Sequence, residues 1–469
     1  VRSAAAGLGA LSLGACGRGA GTSALNRPDP ETAFKYRVSV GWLRDLASEP
    51  TPNDSWPCIR WDETLLRDQL AFLATEAEWG LNHDCVWGLF RSRDWPVPFE
   101  NVIDPARAGM LKTYVEAAHG HGVKIMAGLG VYSWGFEEVI RKVPEVTAGG
   151  NNPQAMCLQS TAAWDWMRRV IDFHLDPVWG LDGVSLQSAD QGRCECEKCK
   201  RLSPAEYHAE ILVRTADYIR AARPEWTIGQ ASWGLRVDDP QEFEHLKRIA
   251  AAVDYMVEVK ELSASRGRRS EIIHQLGCAF GSLGGVLMEP PQHWDRLRWF
   301  VPCGLGSAGA LGRLAAEGGS ACEYFYRPFA NPSEEVAWRT GARVLSAQRI
   351  SPEKALADSV AAVYQAEGVC LASLCDLYTR GENAYFSRVE FKPGDGDIML
   401  EPLIWKENPA APGPPVYLER MSASSRAEYA VELRGLRQEF SLLKPGRSDR
   451  LAQTLECIDG TLADIAGLG

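Results

Sequence analysis

The sequence predicts a (β/α)8, or TIM, barrel at residues 34–350, followed by a C-terminal α-helical region at 351–469. Three observations lead there. Short apolar runs and amphipathic stretches alternate eight times over ~300 residues, the rhythm of parallel strands joined by helical crossovers. The segment Tyr114…Ala118-His119-Gly120-His121-Gly122-Val123-Lys124-Ile125 is a helix-glycine-strand joint typical of such barrels. No G-x-G-x-x-G follows the first strand, which disfavours an open dinucleotide-binding sheet, and neither a Walker loop nor H-E-x-x-H is present.

The elements follow in order. Strand one spans 34–43, with Val38 and Val40 alternating, and ends at Gly41-Trp42. A helix at 64–80 places Leu66, Leu70, Leu73 and Ala77 on one face. Strand two is 85–90. Asp104-Pro105, a cap and a first-turn proline, opens a helix that turns Leu111, Val115 and Ala118 inward. Strand three spans 123–132, and a helix at 162–175 carries Trp166, Val170 and Phe173. Strand four opens the stretch Leu181 to Cys199. Pro204 starts a helix with Tyr207, Ile211, Leu212, Thr215 and Ile219 apolar-facing. Strand five is 226–233, and Asp239-Pro240 opens the next helix. Strands six, seven and eight are placed at 254–259, 286–288 and 320–329, with 294–305 helical in parts. Pro332-Ser333 opens helix eight. Beyond 351, four helices are expected, carrying Leu356 and Val360, then Leu371 and Leu374, then Tyr429 to Phe440, then Leu451 to Ile465. A Pro- and Gly-rich loop at 392–415 divides them.

The formal net charge of −11 argues against a nucleic-acid partner, which would select a basic face. No apolar run reaches the ~18 residues that span a bilayer. Arg2, the small apolar stretch Ala4 to Leu13, and Leu13-Gly14-Ala15-Cys16 read as a lipoprotein-type signal at residues 1–16. Cys16 would be the acylated residue and 17–33 a flexible tether, with a plain Gly/Ala leader as the alternative. The expectation is an exported, cell-envelope or secreted protein touching a membrane only through its lipid anchor.

Function in such a barrel sits at the C-terminal ends of the strands. Aromatic residues recur there: Trp42, Trp87, Tyr132, Trp134, Trp233, Tyr324 and Tyr326. Their faces suit a sugar ring, although aromatics at these positions could instead cap the barrel core. The acids at the same ends are Asp190, Glu258, Glu289 and Glu323. Glycoside hydrolysis needs two carboxyls, one holding a proton for the leaving oxygen and one acting as base, nucleophile or orienter. The candidates meet that need, and each could equally serve a structural ion pair.

Of the thirteen cysteines, Cys85, Cys278, Cys322 and Cys370 sit alone in apolar runs, as small buried hydrophobes do. Cys194-x-Cys196-x-x-Cys199 is different: three soft ligands on one short loop, suited to structural Zn²⁺. Cys157 is the best fourth ligand, and His208 the next. A disulfide within the trio is the alternative in an oxidising compartment.

Val184-Ser185-Leu186-Gln187-Ser188-Ala189-Asp190 followed by that cysteine motif resembles the fourth-strand region of a family of secreted TIM-barrel proteins, domain of unknown function 4838. That family is related to α-glucuronidases and β-hexosaminidases. Met156-Cys157-Leu158-Gln159-Ser160 and the stretch from Ser351-Pro352 to Tyr364 resemble its flanking regions. A weaker similarity to family 20 β-hexosaminidases matches Asp190 to the Asp of an Asp-Glu pair that positions an acetamido group. Gln191 stands where the general-acid Glu would be, so another carboxyl would have to serve. The resulting expectation is an exported glycoside hydrolase-like protein acting on a polysaccharide or oligosaccharide. Asp190 works with Glu258, Glu289 or Glu323, and Trp42, Trp87, Trp134, Gln191, Trp233 and Tyr326 line the site. The alternative is a non-catalytic glycan-binding lipoprotein with a structural zinc site.

Overall fold

A computed structural model describes residues 32–468 apart from 43–61, 91–94, 96, 104, 134, 149–151, 153, 189–191, 233–238, 259–268, 286–298, 301, 326–330, 348–349, 390–417 and 419. The expected leader with Cys16 and most of the expected tether therefore lie outside the described residues.

Eight parallel strands close on themselves: β1 Tyr36–Trp42, β2 His83–Trp87, β3 Lys124–Gly130, β4 Gly183–Gln187, β5 Thr227–Ser232, β6 Tyr255–Glu258, β7 Ala279–Gly285 and β8 Ala321–Phe325. Val38 of β1 pairs with His83 of β2 on one side and with Glu323 of β8 on the other, which completes the barrel. The crossovers carry α1 Glu63–Glu78, α2 Pro105–Gly120, the short α3 Glu137–Lys142, α4 Thr161–Leu175, α5 Pro204–Ala222, α6 Pro240–Ala252, α7 Arg269–Leu276, α8 Gly304–Ala316 and α9 Pro332–Ser346. Helices α10 Pro352–Tyr364, α11 Gly368–Phe386, α12 Ala423–Ser441 and α13 Ser448–Gly467 follow. Among the described residues no single helix is long and apolar enough to cross a membrane.

Caps set the starts of the crossover helices. Ser160, Ser203, Asp239 and Asn331 each accept a backbone N–H of the first turn of α4, α5, α6 and α9. Pro204, Pro240 and Pro332 occupy first-turn positions where their missing N–H costs nothing.

The placement of strand seven needs correction. It runs over Ala279–Gly285, not 286–288. Three glycines make the true strand look like a loop in sequence. The reason is close approach: a Cβ on Gly281 would sit 1.6 Å from the Ala321 carbonyl oxygen of β8. Helices α3 and α7 had no clear sequence signal, and helix eight's predecessor is α8, beginning at Gly304.

Inward side chains stack in layers. The stagger of about one residue per strand expected of this barrel puts Cys85, Ser185, Val257 and Glu323, all from even-numbered strands, in one layer. Tyr255 rises from the layer beneath. Two rings replace side chains that glycines lack: Trp87 covers Gly128, and Tyr255 covers Gly229. A Cβ would lie 2.2 Å and 2.1 Å from those rings.

The C-terminal helices share one buried core with α8 and α9. Glu382 of α11 accepts the Leu305 and Gly306 N–H groups at the start of α8, at 2.9 and 2.5 Å. Arg450 of α13 forms a buried ion pair with Glu335 of α9. Within the region, the Tyr364 hydroxyl meets those of Tyr378 and Thr454 at 2.8 and 2.6 Å.

Between the barrel and α1, Glu76 and Asp84 are both fully buried. Ser39 is the cross-strand neighbour of Asp84, and the Tyr114 hydroxyl of α2 donates to Asp84 Oδ2. Burial pushes Asp84 up to about 7 against that bond, and burial together with the Asp84 charge lifts Glu76 well above the usual carboxylate range. The folded state thus prefers these acids protonated. The resulting stability is complete below the ordinary carboxylate range and is lost as pH rises through about 7, where Asp84 ionises. Glu76→Gln is therefore expected to flatten the fall in the urea midpoint between pH ~5 and ~8, and to exceed the wild type at the alkaline end. Parallel slopes for the two proteins would contradict this account.

Candidate functional site

Loops after β3 and β4 meet at a cluster of four thiols. After β3, the Met156 N–H bonds the Tyr132 carbonyl at 2.7 Å and the Cys157 N–H bonds that of Val146 at 2.8 Å, which brings Cys157 back over the barrel. After β4, Gly192 takes a left-handed turn at φ 78°, and the chain delivers Cys194, Cys196 and Cys199 to the same point. Tyr207 of α5 ties the two loops: its hydroxyl accepts the Cys194 N–H at 3.3 Å and donates to the Met156 carbonyl at 3.4 Å. Asn152 donates to the Arg193 carbonyl at 3.1 Å.

The four sulfurs lie within 4.8 Å of one another. Cys157 Sγ is 3.8 Å from both Cys196 Sγ and Cys199 Sγ. A tetrahedral ion with bonds of about 2.3 Å to sulfur spaces its ligands about 3.8 Å apart, so the residues present fit a thiolate-bound metal. All four thiols are free, at contact distances far beyond the ~2.05 Å of a disulfide. Cys157 is the fourth member, and His208, though buried, is not in the cluster. Burial pushes the Cys194 and Cys199 thiols up, Cys199 to about 12. Burial acts the same way on Cys196, but the Cys199 and Lys198 N–H groups outweigh it and hold this thiol at about 7.

The other sequence candidates divide into three groups. Asp190, Gln191, Trp134, Trp233, Glu289 and Tyr326 lie outside the described residues. Trp42 and Glu258 are the last residues of β1 and β6, placed by their backbones at the C-terminal face. Trp87 and Glu323 are inside the barrel. Trp87 is 3 % exposed and packs over Gly128. Glu323 is 1 % exposed and stands two residues before the end of β8.

Glu323 has partners that the sequence reading missed. Its Oε1 accepts from the Ser185 hydroxyl at 2.6 Å and the Tyr255 hydroxyl at 2.7 Å. Burial raises its pKa against the pull of those two bonds. The signal was present: Ser185 interrupts an apolar strand at the position that alternation turns inward. Glu76 gave a similar hint, since it lies one turn beyond Leu73 on the apolar stripe of α1.

If the thiols bind one metal ion, cobalt(II) titration should saturate at one equivalent with the intense thiolate-to-metal absorption of a tetrahedral site, and Cys157→Ser should abolish that band. Unchanged spectra in the variant would remove Cys157 from the ligand set.

No protein-family model matches the chain, and no curated protein sequence does. Solved structures are similar in fold. One is a variant of the O-GlcNAc hydrolase of Thermobaculum terrenum, matched over 93 % of this chain and 83 % of its own, with TM-score 0.51 and 10 % identity. Another is a glycoside hydrolase family 138 enzyme targeting pectin rhamnogalacturonan II, matched over 94 % of this chain but only 57 % of its own, with TM-score 0.56 and 12 % identity. At such identities the likeness is one of architecture: this chain has the barrel fold on which those two glycan hydrolases are built.

Proposed function

We propose that this protein is a glycoside hydrolase that cleaves a polysaccharide or oligosaccharide at the C-terminal face of its barrel. The observation that carries the reading is what flanks the segment bearing Asp190 on either side. It leaves β4 at Gln187 and reaches the thiol cluster at Cys194, so its two ends are fixed by the strand and by the clamp. Described, anchored chain on either side of an acid at a barrel's C-terminal face suits positioned carboxyl chemistry. The fold shared with two glycan hydrolases supports the reading by analogy.

Asp190 would act with a second carboxyl. Glu258 is one candidate, since its backbone ends β6 on the same face, and Gln191 cannot donate a proton as an acid does. Glu289 and Glu323 remain the other members of the set, Glu323 from the interior. One carboxyl protonates the leaving oxygen while the other stabilises or attacks the anomeric carbon, or activates water. Zinc is the metal we assign to Cys157, Cys194, Cys196 and Cys199, on the chemistry of four sulfur donors. Four thiolates leave no open position, so the ion holds the two loops together. The resemblance to domain of unknown function 4838 and the lipobox at Cys16 add an exported, lipid-anchored location to this proposal.

Asp190→Asn is expected to lower kcat on a responsive glycan by about 10²- to 10⁴-fold with an unchanged melting temperature. Full activity in this variant would end Asp190's role. Saturable glycan binding by wild type, without product from any of a broad panel, would instead establish the non-catalytic glycan-binding alternative.

A further inference from the structure

Among the described residues, one polar side chain at the mouth of the barrel has no protein partner. Along β4, Val184 and Leu186 belong to the core outside the barrel, while Ser185 bonds across the interior to Glu323. Alternation therefore turns Gln187 inward, in the layer above Ser185 and level with Trp87. Gln187 is 8 % exposed, and its side-chain amide makes no hydrogen bond among the described residues. The groups beneath cannot supply one, since the Ser185 and Tyr255 hydroxyls are both committed to Glu323.

A side chain this buried, whose amide oxygen and NH₂ have no described protein partner, is placed to meet a ligand at the mouth. Its oxygen accepts and its nitrogen donates, side by side. The complement is two adjacent hydroxyls on a ring, one donating to Oε1 and its neighbour accepting from Nε2. Charge narrows the class. No Lys or Arg is among the described side chains that fill the barrel interior, and the acid in the layer below is the Glu323 carboxyl. Among these described side chains a uronate carboxylate would find nothing to neutralise it.

We propose that Gln187 is a specificity-determining residue that binds a vicinal diol of a neutral sugar ring at the barrel mouth. This rests on the reading that the mouth accepts a glycan. The selectivity would be sharp for a site of this kind, because a substrate lacking one hydroxyl leaves half of a buried amide unpaired.

The test compares wild type, Gln187→Met and Gln187→Glu on 4-nitrophenyl glycosides of neutral hexoses and deoxyhexoses, and of glucuronic and galacturonic acid. Gln187→Met keeps the volume and removes both polar atoms. Wild type should prefer neutral rings. Gln187→Met should lower kcat/KM on the best of them roughly 10- to 100-fold, the loss of two neutral hydrogen bonds. Its melting temperature should not fall, whereas a purely structural role would lower it. A deoxy analogue missing one of the two hydroxyls should lose activity with wild type and little more with Gln187→Met. A variant within about twofold of wild type, or a preference for uronides, overturns the inference and leaves the hydrolase reading standing. If no glycoside is hydrolysed, calorimetric titration with the same compounds decides. Neutral-sugar binding lost in Gln187→Met keeps the inference without the hydrolase, and no binding by wild type overturns both.

Discussion

Four sulfurs meeting at one point constrain the functional end of this molecule. Cys157 comes from the loop after β3, and Cys194, Cys196 and Cys199 from the loop after β4. Without that convergence, two long connections would be free of each other at the barrel mouth. Loop-closure entropy makes such connections cheap to extend but costly to fix. A bound ion would couple that cost to metal affinity, because the ligands gather only in the folded chain. Tyr207 and Asn152 reinforce the same joint with neutral hydrogen bonds, each worth far less than a metal–thiolate bond.

One strand then links every part of the account. Ser185 of β4 faces the interior and, with Tyr255, satisfies Glu323. Gln187 ends the strand with an unsatisfied amide at the mouth. The Asp190 segment follows, and the thiols close it. The serine that holds the interior carboxyl, the Gln187 amide, Asp190 and three of the four clamp thiols thus occupy fifteen successive positions, 185 to 199. A shift of β4 by one residue would send Ser185 and Gln187 into the apolar layer under the helices and displace the thiols together.

Much of this was legible in sequence, for identifiable reasons. The barrel rhythm is strong because parallel strands buried on both faces read as apolar runs and their crossovers as amphipathic helices. The thiol quartet was legible through tight ligand spacing plus one cysteine placed before the helix that leads into β4. Strand β7 was hidden because close approach to β8 demands glycine, the residue that otherwise marks loops. Trp87 shows a different difficulty: period-two alternation tells which face a strand residue takes, but not whether its ring stands above the rim or fills the barrel. The Glu323 network and the Glu76–Asp84 pair depend on contacts between distant strands and helices, which a local pattern cannot encode. Gln187 looked like part of a polar strand end; only its lack of a partner distinguishes it.

The most direct measurement of the central claim is hydrogen exchange by mass spectrometry on zinc-loaded protein and on protein stripped by a thiol-competing chelator. The account predicts that peptides covering 152–160 and 188–202 lose protection together on stripping, while those covering β1, β2 and β8 keep theirs. Unchanged protection in both loops, or loss in one without the other, would contradict a metal clamp that joins them.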